Sequence, residues 1–544
     1  MAPMLKPLVA MTVLAATVIV WMSGGCGGNR NNPGLGGDDG TGNPSALGDD
    51  SGASSGASSS GGGSGMTGFG GSSSGFMASD GGGFHPDCPP GSPLSCYVDP
   101  NCPSGNTTTI KGRVFDPAGK NPIFNVVVFV PNDPKTLPAI VPGTNSCSAC
   151  DTSVGDYVAA TLTDTSGAFT LKGVPTGNNV PLVLQIGKWR RLMTVPSVPD
   201  CKTTTLPSSG SGQARLPKNR QEGDIPQMAL LTGGLDDLGC FLYKVGIDPK
   251  EYSAPKGGGR LDIYQGLGGG AGGLLGGGGG KAPGLSNGGT AGNCTTTSCP
   301  LWANKQSFEN YDIVFLACEG DTYDADENGD AGAGLFGGGG GPNVTKAGKQ
   351  ALHDWLDEGG KVFATHFHYT WFKNGPPDFQ AVATWLGSSI GNGTCTNCTL
   401  DTSFQSGKDF QAWLQGVGAL SGGGITLKGV ADSVSTVNTA TTNRWIYGNS
   451  GRGGATDTKY MSFETPIGGI PIEAGPEMGG KQYCGKAVFT DLHAGGSPSG
   501  DIPGACQNVD LTAQEKALEF LIFNLAACVS DESMPMKIPP PPPK

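Results

Sequence analysis

The sequence predicts a multidomain chain: a small all-β sandwich followed by a three-layer α/β domain with a mainly parallel sheet, preceded by a disordered Gly/Ser tether. Three observations predict it. Residues 27–86 are nearly devoid of apolar side chains. Residues 107–206 carry only period-two runs, and residues 224–530 alternate short apolar runs with helix-period segments. The length of 544 residues accommodates this at about 150 residues per domain.

At the front, Lys6 precedes an apolar run from Pro7 to Met22, which breaks at Ser23-Gly24-Gly25-Cys26. This run falls short of the roughly 20 residues that a membrane-spanning helix needs. A positive residue, an apolar segment, small residues and a cysteine is the order of an export signal ending at a lipid-attachment site. The segment resembles bacterial lipoprotein signals, although Ser23 stands where those usually carry an aliphatic residue. The resemblance implies a signal peptide over 1–25 and a lipid on Cys26. With Gly27 after the cysteine, it also implies an outer-membrane address, periplasmic or surface-facing. Residues 26–86 follow as the tether, too polar to offset their ordering entropy, with a span of roughly 40–45 Å. A collar over 87–106 holds Cys88, Cys96 and Cys102 among prolines.

The net charge of −12 and the lack of a Lys/Arg cluster exclude a nucleic-acid partner. The densest basic stretch, Lys188-Trp189-Arg190-Arg191, reads as a solvated strand face. Sixteen cysteines in an exported chain imply disulfides. Setting Cys26 aside leaves an odd number, so one thiol is expected to be free, buried or paired with another molecule. The expected partners are the membrane, through the anchor, and an envelope polysaccharide or protein.

In the sandwich, Thr109 to Phe115 alternates as a strand, Asp116-Pro117-Ala118-Gly119 turns, and Val126 to Val130 is a second β-branched run. Ala159 to Thr163, Ala168 to Leu171, Val180 to Ile186 and Arg190 to Val195 complete the set. Lys111-Gly112-Arg113-Val114-Phe115-Asp116, Thr163 to Phe169 and Gly173-Val174-Pro175-Thr176-Gly177 resemble the carboxypeptidase-regulatory-like domains. That resemblance implies a spacer or adhesion role. An insertion with Cys147-Ser148-Ala149-Cys150 departs from it.

The period then changes. Gln227 to Thr232 is a strand, and Asp236 can cap a short helix through Leu242 and Val245. Tyr311 to Ala317 reads as a buried strand. Thr345 can cap Lys346 to Glu358, which Gly359-Gly360 stops before the strand Lys361 to Thr365. Phe379 to Leu386 is an expected helix, Ala487 to Leu492 a late strand, and Thr512 the cap of a final helix through Leu525. Short buried strands alternating with helices imply a parallel sheet covered on both faces. Gly-rich blocks at 266–293 and 332–341 lack a phosphate-loop pattern and read as flexible insertions. Residues 531–544 form a Pro-rich tail.

Active residues in open parallel sheets lie just past the carboxyl ends of strands. Three such ends carry chemistry here: Cys318-Glu319-Gly320-Asp321, His366-Phe367-His368-Tyr369 and His493-Ala494-Gly495. One reading is a thiol nucleophile, Cys318, with His366, His368 or His493 as base and Glu319 or Asp321 as its orienter. Tyr311 to Leu316, the run from Leu352 through Gly359-Gly360 to His366, and Gly485 to His493 resemble the class I glutamine-amidotransferase-like superfamily. Within it they resemble the trehalose-utilisation-protein-like branch. The resemblance implies the α/β fold more than a mechanism. Cys318 lacks the Gly-x-Cys-x-Gly frame, and His493 is not followed by an acid two residues on.

A second reading is a metal site. His366 and His368 would share a strand face, with Glu319, Asp321 or His493 completing the cluster. Asp321, Asp324, Asp326 and Asp330 form an acidic loop with calcium as the candidate ion, outside the EF-hand register. The bland alternatives are a buried or disulfide-bonded Cys318 and histidines that hydrogen-bond loops. Cys147/Cys150 and Cys395/Cys398 read as loop staples. The expected function is a binding or structural module of the cell envelope. The alternative is a hydrolase on a carbohydrate-like or amide substrate, and a convergent histidine pocket would favour it.

Overall fold

The computed structural model describes residues 87–541, except 144–145, 151–153, 268–281, 321, 323, 325–342, 388–392, 452–453, 455, 472–480 and 496–499. The signal, Cys26 and the tether lie outside the described residues. So do Asp321, Asp326, Asp330, the block at 332–341 and half of the 266–293 block. The described residues belong to one compact unit, 73–544.

Seven strands lead: β1 (Thr109–Arg113), β2 (Val127–Pro131), β3 (Tyr157–Leu162), β4 (Ala168–Lys172), β5 (Gly177–Ile186), β6 (Trp189–Val198) and β7 (Thr203–Thr205). They form a three-stranded sheet, β4-β1-β7, and a four-stranded sheet, β3-β2-β5-β6. Thr163 fastens the turn between them, its hydroxyl donating to Ile123 O at 2.7 Å and accepting from Val126 N.

A third sheet has thirteen strands. Those that position the site are β8 (Met228–Thr232), β9 (Leu261–Gln265), β10 (Gly292–Asn293), β11 (Ile313–Leu316) and β12 (Lys361–Thr365). The far side has β13 (Gly393–Leu400), β14 (Ile425–Val430), β15 (Asn443–Tyr447), β16 (Thr458–Thr465) and β17 (Gly485–Thr490). The order β10-β9-β8-β11-β12-β17 is parallel throughout. From β17 the sheet turns antiparallel through β16, β15, β13 and β14. β8, β11, β12 and β17 are buried at every residue, as parallel strands covered on both faces require. Part of the 266–293 block is ordered, since β10 lies on the sheet edge beside β9.

Four longer helices accompany this sheet: α1 (Leu238–Val245), α2 (Lys346–Asp357), α3 (Gln405–Gly416) and α4 (Ala513–Ala526). Thr345 caps α2 by accepting from Gly348 N, and Thr512 with Glu515 makes a capping box on α4. Two local expectations fail. The cap of α1 is Asp237, which accepts from Cys240 N, not Asp236. The expected helix over Phe379–Leu386 is one turn, Pro377–Gln380, followed by a short strand, Ala383–Trp385, paired with Val434–Val437. Pairing on a neighbouring strand outweighs an ambiguous local pattern there.

The sandwich and the segment that follows it, read from the sequence as distinct domains, share one continuous core. One apolar cluster runs from Ile110, Val128 and Trp189 of the sandwich to Phe363, Leu518 and Phe523 of the following segment. Trp189 meets Phe523 at 5.4 Å between ring centroids, Phe124 stacks on Phe520, and Trp413 Nε1 donates to Pro122 O at 2.7 Å. At Gly187, the β5–β6 turn, a Cβ would lie 1.9 Å from Ala526 O, so only glycine allows the turn to reach the end of α4. The basic stretch is correspondingly not a solvated face. Lys188 pairs with Asp312, Trp189 is buried, and Arg190 pairs with Asp224 at 2.9 Å.

Disulfides follow the same seam. Cys147 and Cys150 are not a staple: they bond Cys484 and Cys528, across 337 and 378 residues of chain. Cys395–Cys398 is a local staple as expected, and the collar pairs Cys88 with Cys96 and Cys102 with Cys201. Cys240–Cys506 and Cys294–Cys299 complete the set, leaving Cys318 as the free thiol among the described residues.

Non-reducing peptide mapping should therefore recover Cys147–Cys484 and Cys150–Cys528 peptides. Breaking either bond should lower stability by about 2–5 kcal/mol in denaturant unfolding. A Cys147–Cys150 peptide would contradict the seam.

Asp116 and Glu519 meet at the same seam, both buried, with Asn121 Nδ2 donating to Glu519 Oε2 at 2.8 Å. Burial raises Asp116 to about 6 and Glu519 well above its ordinary value, their mutual repulsion adding to the Glu519 shift. Raised carboxyls hold protons in the folded state that the unfolded chain has released. Stability should thus fall as pH rises from about 4 through 6. Asp116→Asn should reduce that slope in unfolding curves measured across this range; an unchanged slope would exclude the pair as its source.

Candidate functional site

Four adjacent parallel strands, β8, β11, β12 and β17, deliver their carboxyl ends to one place. Past β8 comes Asp236, past β11 Cys318, past β12 His366 and past β17 His493. Each strand is short and buried along its whole length, and the residues just past its carboxyl end sit at the rim. Gly233 lets the β8 loop cross beside β11: a Cβ there would lie 2.1 Å from Cys318 O. Leu235 N then donates to Cys318 O and Asp237 N to Ala494 O, tying three strand ends together.

Cys318, His366 and His493 converge. One ligand atom from each lies within 4.8 Å of the others, with Cys318 Sγ 3.5 Å from His366 Nδ1. The rings of His366 and His493 meet edge to face at 5.0 Å. Cys318 and His366 are buried and His493 is half-buried. His366 has φ +37°, a left-handed backbone that is costly for a residue with a side chain. His493 Nδ1 lies 2.7 Å from Gly429 O, so that nitrogen carries the proton and donates it. Nε2 is then the lone-pair nitrogen, and it is buried without a hydrogen-bond partner.

His368 does not join them. The expected shared face requires an extended strand, but His366–Tyr369 is a 3-10 turn, which swings the two rings apart. His368 Nε2 donates to Ala317 O at 2.9 Å, and Nδ1 accepts from Trp371 Nε1 at 3.1 Å. Burial lowers it to about 4, so it is a neutral, fully bonded framework residue. Glu319 turns to the other side of the rim and accepts from Leu267 N at 2.6 Å. Asp324 pairs with buried Lys349 and accepts from Asn374, a structural ion pair rather than an open calcium ligand.

Asp236, expected from the sequence to cap α1, is buried, accepting from Ala494 N at 2.7 Å through Oδ1 while Oδ2 has no hydrogen-bond partner. Burial raises its carboxyl above the ordinary range, opposed by the nearby His493. The signal for it lay in the Asp236-Asp237 pair, one acid more than a cap uses. Asp491, beneath His493, is raised by burial to about 6 while accepting from Ser433 N. Around Cys318 burial pushes the thiol strongly up, and the charges of Asp236 and Glu319 add to the effect. The thiol is thus protonated at neutral pH. A cavity of about 200 Å³ lies elsewhere, in the seam beside Cys147, Lys188 and Lys361. Its Lys361 is satisfied by the Ala526 and Ala527 carbonyls at the end of α4.

Cys318 should resist iodoacetamide at pH 7 in the folded protein and take up one label per chain after unfolding without reductant. Fast native labelling at Cys318, abolished by His366→Ala, would mean an activated thiolate instead.

Compared with known proteins, the chain matches no family model and no curated protein.

Proposed function

We propose that this chain is an exported cell-envelope protein, lipid-anchored through Cys26, whose three-layer α/β segment binds an envelope polymer, glycan or protein. The carboxyl-end cluster of Cys318, His366 and His493 is its ligand site. The convergence of these side chains from three adjacent parallel strands carries the reading, because strand-end loops of such sheets are where ligands are held. The ordered signal ending at Cys26 and the fourteen cysteines held in seven disulfides support an oxidising, extracytoplasmic location. The sandwich, with its regulatory-like sequence stretches, serves as a spacer bonded to the binding segment along the seam.

The 3.5 Å approach of Cys318 Sγ to His366 Nδ1 favours a second reading, a hydrolase acting on a carbohydrate-like or amide substrate. It ranks below the first. A nucleophile needs a thiolate, and here burial and two acids disfavour one.

Two measurements test the proposal. Cys26→Ser should move the protein from the membrane to the soluble fraction, and an intact mass showing an unmodified mature N-terminus would end the anchoring claim. Soluble Cys26→Ser protein should co-sediment with purified envelope sacculi. The double variant His366→Ala/His493→Ala should reduce that binding at least tenfold. Equal binding by the double variant would remove the strand-end cluster from the ligand site.

A further inference from the structure

Fourteen of the fifteen described cysteines are paired, yet Cys318 is not, although it sits buried in the same oxidised chain. The thiol's neighbours are two imidazoles, a donor set of one sulfur and two nitrogens, which suits a borderline-soft cation and not calcium or magnesium.

We propose that Cys318 Sγ, His366 Nδ1 and His493 Nε2 are the three protein ligands of a zinc-class divalent cation. The assignment rests on the binding-site reading above and specifies what that site holds. A tetrahedral centre with a metal–sulfur bond of about 2.3 Å and a metal–nitrogen bond of about 2.0–2.1 Å separates the two ligand atoms by about 3.5–3.6 Å. Cys318 Sγ and His366 Nδ1 stand at 3.5 Å. The remaining separations, up to 4.8 Å, close by small side-chain rotations.

His493 supplies the independent observation. Its Nδ1–H is committed to Gly429 O, and this bond orients the ring and leaves Nε2 as a bare lone pair. That atom is buried and has no hydrogen-bond partner, a costly state for a polar nitrogen unless it binds something. Gln514 Nε2 donates to His493 O at 2.8 Å, so the backbone that carries the ring is held as well. The strained backbone of His366 is accounted for in the same way, since it aims Nδ1 at Cys318.

Binding replaces the thiol proton with the metal: the Sγ–H bond breaks, the Sγ–metal bond forms and one proton leaves to solvent, with no change of oxidation state. Three protein ligands leave one tetrahedral position for water or for a ligand's oxygen or nitrogen donor.

The test titrates the chelator-treated Cys26→Ser protein with Co²⁺ under exclusion of air. The expected result is uptake of one equivalent, with a thiolate-to-cobalt charge-transfer band in the near ultraviolet and strong tetrahedral d–d bands. Zn²⁺ should displace the cobalt, and about one proton should be released per ion. Cys318→Ser should lose the charge-transfer band, and His493→Ala should weaken binding by on the order of 10–100-fold or more. The unsubstituted cluster decides the matter even if a variant fails to fold. No uptake, or uptake without the charge-transfer band, overturns the assignment. If cobalt fails while sacculus binding still depends on His366 and His493, only the metal falls; if both fail, the site reading falls with it.

Discussion

The burial of α4 is the constraint on which the rest of the structure depends. Ten of its fourteen residues are buried, Glu515 and Glu519 among them. Such a helix needs apolar partners on nearly every side. The sheet covers one side, and the sandwich covers another through Trp189, Phe124 and the Gly187 turn. Neither segment alone covers this helix, so the two share one core. The polar atoms enclosed by that arrangement are met locally. Lys361 takes the last carbonyls of α4, Lys244 pairs with Glu515 at 2.7 Å, and Asn121 reaches Glu519. The Cys147–Cys484 and Cys150–Cys528 bonds then lock a contact that packing has already made.

The strand-end cluster follows from the same architecture at a finer scale. Parallel strands buried along their whole length end at a common rim, and neighbouring strands bring the residues just past those ends within ångströms of one another. Burial then sets their chemistry. The thiol of Cys318 is held neutral, Asp236 is left with one unmatched oxygen, and His493 presents an unbonded nitrogen. These are poor features for a thiol nucleophile and good ones for a site that holds a cation. His368, from the same sequence motif as His366, shows how local the distinction is. One 3-10 turn separates a bonded framework ring from a ring in the cluster.

Much of this was legible in the amino-acid sequence. Thr345 and Thr512 marked their helices, because a hydroxyl before an amphipathic run has a local hydrogen-bonding role that needs no tertiary partner. The apolar runs at Met228–Thr232, Ile313–Leu316, Lys361–Thr365 and Gly485–Thr490 marked the strands, and their ends marked Cys318, His366 and His493. With Cys26 set aside the cysteine number is odd, and among the described residues Cys318 is the unpaired thiol.

Other features depend on distances that no local pattern encodes. Cys147 and Cys150 are three residues apart and read as a staple, but their partners stand 337 and 378 residues away, where the seam places them. Asp236 and Asp237 are equivalent caps by spacing; only the packed rim decides which one faces the helix and which one is buried beside His493. The same holds for Lys188 to Arg191, a charged run whose burial depends on what docks against it. Sequence by itself determined the elements, their ends and the chemical types at the rim, since these arise from propensity, capping and period. Tertiary structure alone decided which rim residues meet, which cysteines pair and which charges lose water, because these depend on chain segments brought together from hundreds of residues apart.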